Sequence, residues 1–338
     1  MMANVEECGY LGLRAIRLTA GSYQAVVLPD IGANLISFRD IDRGLSFLRE
    51  PTPDEMPVFL TTPTTWGIPV LFPPNRIEDG TFTIGNMTYH FPINEESRQN
   101  HLHGFLHNTP WTVEDSGRLE GEAFVRLAVH VDETHPAYQI FPHPFQFTLE
   151  YRVTCTGLRQ TADVVNLGHW PMPFMLGFHT AIRIPFSPLS TERDYVFTAT
   201  IGRRWELNHR MLPTGACQTL NGGEARISGE GIYPFFEPMD NHYTASPQNG
   251  RNYVTVTDKR FNLRLVYDAG LRYRHWMIWN NNAEGRFFCP EPQTNLVNAP
   301  NAPVPPDASG LLMLSPGERW TETSILYVED VEGPVLSR

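Results

Sequence analysis

In Phe287-Phe-Cys-Pro-Glu-Pro-Gln-Thr294 a carboxylate stands between two prolines after an aromatic run. Proline fixes φ and leaves Glu291 little slack, which suits a base that must approach one proton along a set line, since small misplacements cost about a hundredfold in rate. The competing reading is a turn in which Glu291 faces water. In Pro173-Phe-Met-Leu-Gly-Phe-His-Thr180 a histidine follows a glycine within an otherwise apolar run. Burial lowers the proton affinity of an imidazole and a neighbouring carboxylate raises it, so His179 can sit near the reference value of about 6.5 and donate a proton at neutral pH. The plainer alternative is a core histidine with satisfied hydrogen bonds. A third place runs from Gly67-Ile-Pro-Val-Leu-Phe-Pro-Pro-Asn-Arg76 to Asn100-His-Leu-His-Gly104, offering one guanidinium fork and two imidazoles. On an extended chain His101 and His103 face the same side, as in a His-x-His metal site. That site needs a third ligand, and the nearest acidic residue downstream is Glu114. Surface or turn histidines account for the pair equally well.

These groups need a scaffold, and the sequence reads as strands. Phe145-Gln-Phe-Thr-Leu-Glu-Tyr-Arg-Val-Thr154 alternates apolar and polar residues without a break, the period of a strand with one wet and one buried face. Val125, Leu127, Val129 and Val131 alternate in the same way, as do Phe261, Leu263, Leu265 and Tyr267. In Thr81-Phe-Thr-Ile-Gly-Asn-Met-Thr-Tyr89 the Gly85-Asn86 pair supplies the positive φ of a tight hairpin. No segment longer than about 12 residues keeps helical apolar spacing, and 29 prolines interrupt most candidates. The expected fold is all-β, a large sandwich with little helix, formed by residues 1–338 as a single domain. The Pro-rich stretch Asn298 to Pro306 is the best candidate for a boundary, but too few residues follow it to build a second core, so it reads as an ordered surface loop.

Composition narrows the chemistry. The 338 residues are 41% hydrophobic and 19% charged, which fits a folded globular chain and not a disordered one. No apolar run reaches the roughly 18 residues needed to cross a bilayer, and no secretory leader is visible, so a cytoplasmic protein without membrane attachment is expected. The net charge of -11 disfavours nucleic acid as a partner. Lys259 is the only lysine, which removes most Schiff-base and P-loop chemistry. Cys8, Cys155, Cys217 and Cys289 form no CxxC and read as buried free thiols.

Taken in order, Asn75-Arg76, Asn100-His-Leu-His-Gly104, Gly177-Phe-His179 and Glu291-Pro-Gln-Thr294, with Pro316-Gly-Glu318 near the end, resemble the aldose 1-epimerase (galactose mutarotase) family across nearly the whole chain. The resemblance implies a twisted β-supersandwich of the galactose mutarotase type. It implies an isomerase that interconverts the α and β anomers of a free hexose by acid-base ring opening and reclosure. Glu291 would be the general base, His179 the general acid, and Arg76 and His103 would hold sugar oxygens. Asp240, in Met239-Asp-Asn-His-Tyr243, looks like the family's substrate-binding aspartate. No metal or organic cofactor is required by that chemistry. Family members commonly carry two glycines after the motif histidine, whereas Gly104 is followed here by Phe105, which bears on which sugar is accepted.

Two rivals stand beside this reading. An epimerase for phosphorylated hexoses would need extra arginines at the pocket rim, with Arg183, Arg203 and Arg204 as candidates. A non-catalytic carbohydrate-binding protein of the same fold would have no use for the acid and base together. Among aromatic platforms for a sugar ring, Trp66, Trp170, Trp276 and Trp279 are equal candidates.

Overall fold

The computed structural model describes residues 3–331. Antiparallel sheets make up most of it, and the longest α-helices among the described residues, Met56–Thr61 and Gly222–Ile227, have six residues each. The all-β expectation is met, because alternating sequences with frequent prolines leave a helix no apolar stripe to bury. One large sheet orders its strands as Thr112–Leu119, Glu122–Val131, Phe145–Thr154, Gly157–Asn166, Arg319–Asp330, Leu263–Asp268, Tyr253–Asp258 and Tyr195–Ala199. The second orders Pro213–Gln218, Ile201–Leu207, Asp240–Ala245, His275–Trp279, Phe287–Gln293, Gly177–Phe178 and Val70–Leu71, with Ile182–Arg183 pairing beside Phe287–Gln293. An N-terminal five-stranded meander, Asn4–Tyr10 to Leu45–Ser46, packs on the first sheet through Leu13–Ala20.

Burial follows the sequence pattern closely. In Phe145–Thr154 every odd position, from Phe145 to Val153, is buried and every even one is half-exposed. One cluster of buried apolar side chains extends from Ile16 to Leu326 and draws on both large sheets and the meander. The hairpin Thr81–Ile84 to Met87–His90 turns at Gly85, where φ is 61°. Positive φ at the first of two turn residues is the arrangement that needs a glycine there.

Two expectations shift. The strand expected from Phe261 begins at Leu263, because Asn262 adopts φ 54° and leaves Phe261 exposed in the turn. Only Cys289 is a buried thiol; Cys155 is exposed in the turn between two strands, and Cys8 and Cys217 are half-buried. The Pro-rich stretch, expected as an ordered surface loop, is tied down at its start. Asn298 donates its backbone N–H to the Arg76 carbonyl at 2.9 Å, and Asn301 donates to the Thr81 carbonyl at 2.8 Å. Pro316-Gly-Glu318 is a turn closed by Glu318, which accepts the Ser315 N–H at 2.8 Å.

Candidate active site

All seven residues of Phe287–Gln293 are buried. Glu291 is therefore no water-facing turn residue; its side chain is 2% exposed. The strand is flanked by His275–Trp279 on one side and by the broken strand Gly177–Phe178 and Ile182–Arg183 on the other. Gly177 faces Gln293 and Ile182 faces Phe288, so the register is the same on both sides of the break, and His179 falls opposite Glu291. Side chains at such facing positions meet directly. His179 Nε2 lies 3.2 Å from Glu291 Oε1.

The prolines explain the break. The Thr294 N–H points across to the Leu176 carbonyl at 2.8 Å, so by the twofold alternation of a strand Pro292 and Pro290 occupy the positions that would donate next to the same neighbour. They have no N–H to give. The chain at His179 turns its own N–H the other way, to the Pro69 carbonyl at 3.0 Å, and Ala181 does the same to Gly67 at 2.9 Å.

Arg76 reaches the same cavity. Its Nε donates to Glu95 at 2.9 Å, its terminal nitrogen to the other Glu95 oxygen at 3.0 Å, and Asp240 Oδ2 lies 3.5 Å away. Glu95 also accepts from Arg98 at 2.8 Å and from the buried Asn100 at 2.9 Å. Sequence reasoning missed Glu95, whose setting in Asn94-Glu-Glu-Ser-Arg98 looks like an ordinary solvated loop. Asp240 opens its strand opposite Trp279, two positions from the Met277–Glu291 pair, so it shares the face on which Glu291 stands.

His103 adopts φ 70° and donates its N–H to the Asn75 carbonyl at 3.0 Å, ending the short strand Asn100–Leu102. The extended His-x-His geometry is therefore absent. His101 turns its Nδ1 to the Pro92 carbonyl at 2.7 Å, while the His103 ring stands edge-on to His179 with centroids 5.2 Å apart. Among the described residues no three His, Cys, Asp or Glu side chains cluster to hold a metal ion. Gly104 adopts φ 71° directly against the Phe72 carbonyl, where a Cβ has no room.

Arg76, His103, His179, Asp240 and Glu291 line one cavity of about 580 Å³. All five residues singled out in the sequence are thus brought together. The wall adds Thr61, Thr62, Thr64 and Thr65, a row of hydroxyls that sequence reading passed over because nothing local ties that segment to the other motifs. Of the four tryptophans only Trp279 borders the cavity, its ring 5.8 Å from His179. Trp276 and Trp66 are buried elsewhere and Trp170 is 71% exposed. Phe105 lines the cavity with one edge and packs against Phe72 and Phe141, each 6.0 Å away, with the other. Arg183, Arg203 and Arg204 do not line it; Arg204 is paired with Glu224 at 3.1 Å.

Burial sets the proton affinities. It pushes His179 down to about 3, while Glu291 is pushed well above the ordinary carboxylate value by burial and by the charge of Asp240, against the opposing pull of Gln293 and Arg76. Burial also raises Asp240, with Arg76 opposing, and drives His103 far below its usual value. At Glu95 burial alone would raise the carboxyl, but the hydrogen bonds from Arg76 and Asn100 outweigh it and hold it low. Both shifts at the central pair favour one shared proton resting on Glu291 beside a neutral His179, since that arrangement buries no net charge.

The fold and the grouped side chains define a galactose mutarotase-like β-sandwich. A family model described as aldose 1-epimerase matches residues 14–327, and the chain belongs to that family. A crystal structure of a galactose mutarotase-like protein from Clostridium acetobutylicum is 34% identical, with a TM-score of 0.94 over 98% of this chain and 99% of the other. Galactose 1-epimerase from Lactobacillus acidophilus shares the fold at 15% identity, with a TM-score of 0.73 over 98% and 100% of the two chains. The uncharacterized protein YihR of Escherichia coli K12 is 24% identical over 60% of this chain, a match that spans 59% of YihR.

Proposed function

We propose that the protein is a mutarotase acting on a free hexopyranose, with residues 3–331 working as one domain. The observation that carries the reading is the His179–Glu291 contact of 3.2 Å on the wall of a cavity also lined by Arg76, His103 and Asp240. Ring opening needs the C1 hydroxyl to lose a proton while the ring oxygen gains one. Both oxygens are bonded to C1, so a base and an acid standing side by side reach both. With Glu291 ionised and His179 protonated, Glu291 takes the C1 proton, the C1–ring-oxygen bond breaks with its electrons going to the ring oxygen, and His179 protonates that oxygen. The free aldehyde then rotates about C1–C2. Reclosure runs both transfers backwards and gives the other anomer.

The pair carries one proton throughout. Passing that proton from Glu291 to His179 gives the reactive ion pair in the closed-ring complex, and ring opening returns the pair to the neutral form that burial favours. The cavity thereby stabilises the state in which the bond is already broken. Arg76 and His103 hold sugar oxygens and Asp240 a hydroxyl. Because Glu95 and Asp240 already balance the Arg76 charge, the site suits a neutral sugar better than a phosphorylated one. No metal or organic cofactor enters these steps.

The test is to dissolve pure α-glucose or α-galactose in dilute buffer and follow optical rotation with and without the protein. Accelerated relaxation is expected. Relaxation unchanged for every aldose tried would leave a sugar-binding protein without catalysis.

A further inference from the structure

Gln293 does not border the cavity, yet it touches the carboxylate that does. It is completely buried, and its Nε2 donates to Glu291 Oε2 at 3.2 Å, while Glu291 Oε1 faces His179. The two oxygens of one carboxylate therefore have separate partners. Gln293 Oε1 is buried with no hydrogen-bond partner. An orphaned buried carbonyl costs stability, so an apolar side chain would serve packing better; what the amide adds is its donor to Glu291.

The opposing strand makes room for it. Gly177 faces Gln293 in the same register that sets His179 opposite Glu291. A Cβ at Gly177 would lie 3.0 Å from Gln293 Cγ and 3.0 Å from Pro74 Cβ. The φ of Gly177 lies outside the left-handed region, so space and not backbone conformation calls for a glycine here. Thr294 clamps the neighbouring segment, accepting the Leu176 N–H on Oγ1 at 2.9 Å and donating its own N–H to Leu176 at 2.8 Å.

We infer that Gln293 is the positioning residue of the acid-base pair, holding one oxygen of Glu291 so that the other stands free for His179 and the C1 hydroxyl. Gly177 is the glycine that lets it reach. This rests on the mutarotase reading, and it gives the Gly-x-His and Glu-x-Gln spacings a common cause: each spans two positions on one face of paired strands. A donor to a carboxylate stabilises its charged form, so Gln293 opposes the upward push on Glu291. The other groups facing Glu291 are His179 from the broken strand, Cys289 on its own strand, and Asp240, Arg76 and His103 across the cavity. Met277 lies opposite Glu291, and His275 lies opposite Gln293. All of them stay in place when only Gln293 is changed.

The variants are Gln293→Met, of similar length and without a donor, Gly177→Ala, and the two combined. In folded Gln293→Met, kcat for anomer exchange should fall about tenfold, the worth of a hydrogen bond to a charged group, with KM within about twofold. The alkaline limb of kcat, where Glu291 gives up the shared proton, should move up by about one pH unit. Gly177→Ala should move both readings the same way and supplies them if Gln293→Met does not fold. The double variant should be no slower than Gln293→Met alone. An unmoved alkaline limb with normal kcat overturns the role of Gln293, and additive losses in the double variant overturn that of Gly177. If the wild type shows no activity, the mutarotase reading fails separately. The carboxyl carbon of Glu291, titrated by NMR without sugar, then still decides whether Gln293 lowers its proton affinity.

Discussion

His179 and Glu291 touch because they hold facing positions on adjacent antiparallel strands, one of which is interrupted where Pro290 and Pro292 offer no donor. The contact is thus a consequence of register and not of flexible loops. If Glu291 is the base of the proposed reaction, Glu291→Gln keeps its shape and removes the ability to accept the C1 proton. Turnover should drop by about 10²–10⁴-fold. The unfolding temperature should hold or rise, because a carboxyl in a buried site is exchanged for a neutral amide. Near-normal polarimetric rates in a folded Glu291→Gln variant would exclude Glu291 as the base.

The pH profile of the wild type separates a coupled pair from two independent groups. An isolated histidine acid would lose activity as pH rises through about 6.5. Here a second proton reaches the pair only when His179 takes it, at about 3, and the shared proton leaves only above the raised value of Glu291. Between those limits the pair keeps one proton, the number the reaction needs. The catalysed rate, after subtraction of the background, should therefore run through pH 6.5 without an inflection. A clear loss of kcat centred near 6.5 would contradict the shared-proton account.

Glu95 supports Arg76 from behind the cavity. Both side chains are largely buried, at 10% and 8% exposure. Removing one partner of such a pair leaves the other charge poorly solvated, and Glu95→Ala should cost about 3 kcal/mol of stability. In the surviving folded protein Arg76 turns towards Asp240, so KM should rise more than kcat falls. Urea unfolding and steady-state polarimetry read the two effects, and a KM equal to the wild type's would show that Arg76 does not depend on Glu95 for its place.

How much of this was legible in the sequence varied with the kind of interaction. Phe145–Thr154 was readable to the residue, because alternation reports directly which face is buried. Glu291, His179, Arg76, His103 and Asp240 were readable through motif resemblance, and each stands on the cavity. Glu95 was not, since its neighbours in sequence are polar and its partner Arg76 lies across a strand pairing that no local pattern encodes. Gln293 was visible within its motif, but its task depends on the register with Gly177, a relation between distant segments. The turn alternative for the proline-flanked Glu291 failed because the prolines lie within a buried strand, beside the gap in its neighbour, and not at its end.

The buried and half-buried histidines give the last prediction, in which the direction follows from linkage. His101, His103, His107, His135, His143, His179, His242 and His275 all have proton affinities lowered by burial, His107 and His143 to about 4 and His179 and His275 to about 3. In the unfolded chain each titrates at about 6.5. Between about 6.5 and their folded values the unfolded state binds more protons than the folded one, so stability falls as pH is lowered through that window. Glu291 and Asp240 work the other way, since their raised values let the folded state hold protons that the unfolded state releases. Two carboxyls do not offset eight imidazoles. The urea midpoint should therefore drop markedly from pH 7 to pH 5, and His275→Gln, at a site away from the cavity, should flatten part of that slope. A midpoint that is level or higher at pH 5 would mean that these rings are charged inside the folded protein.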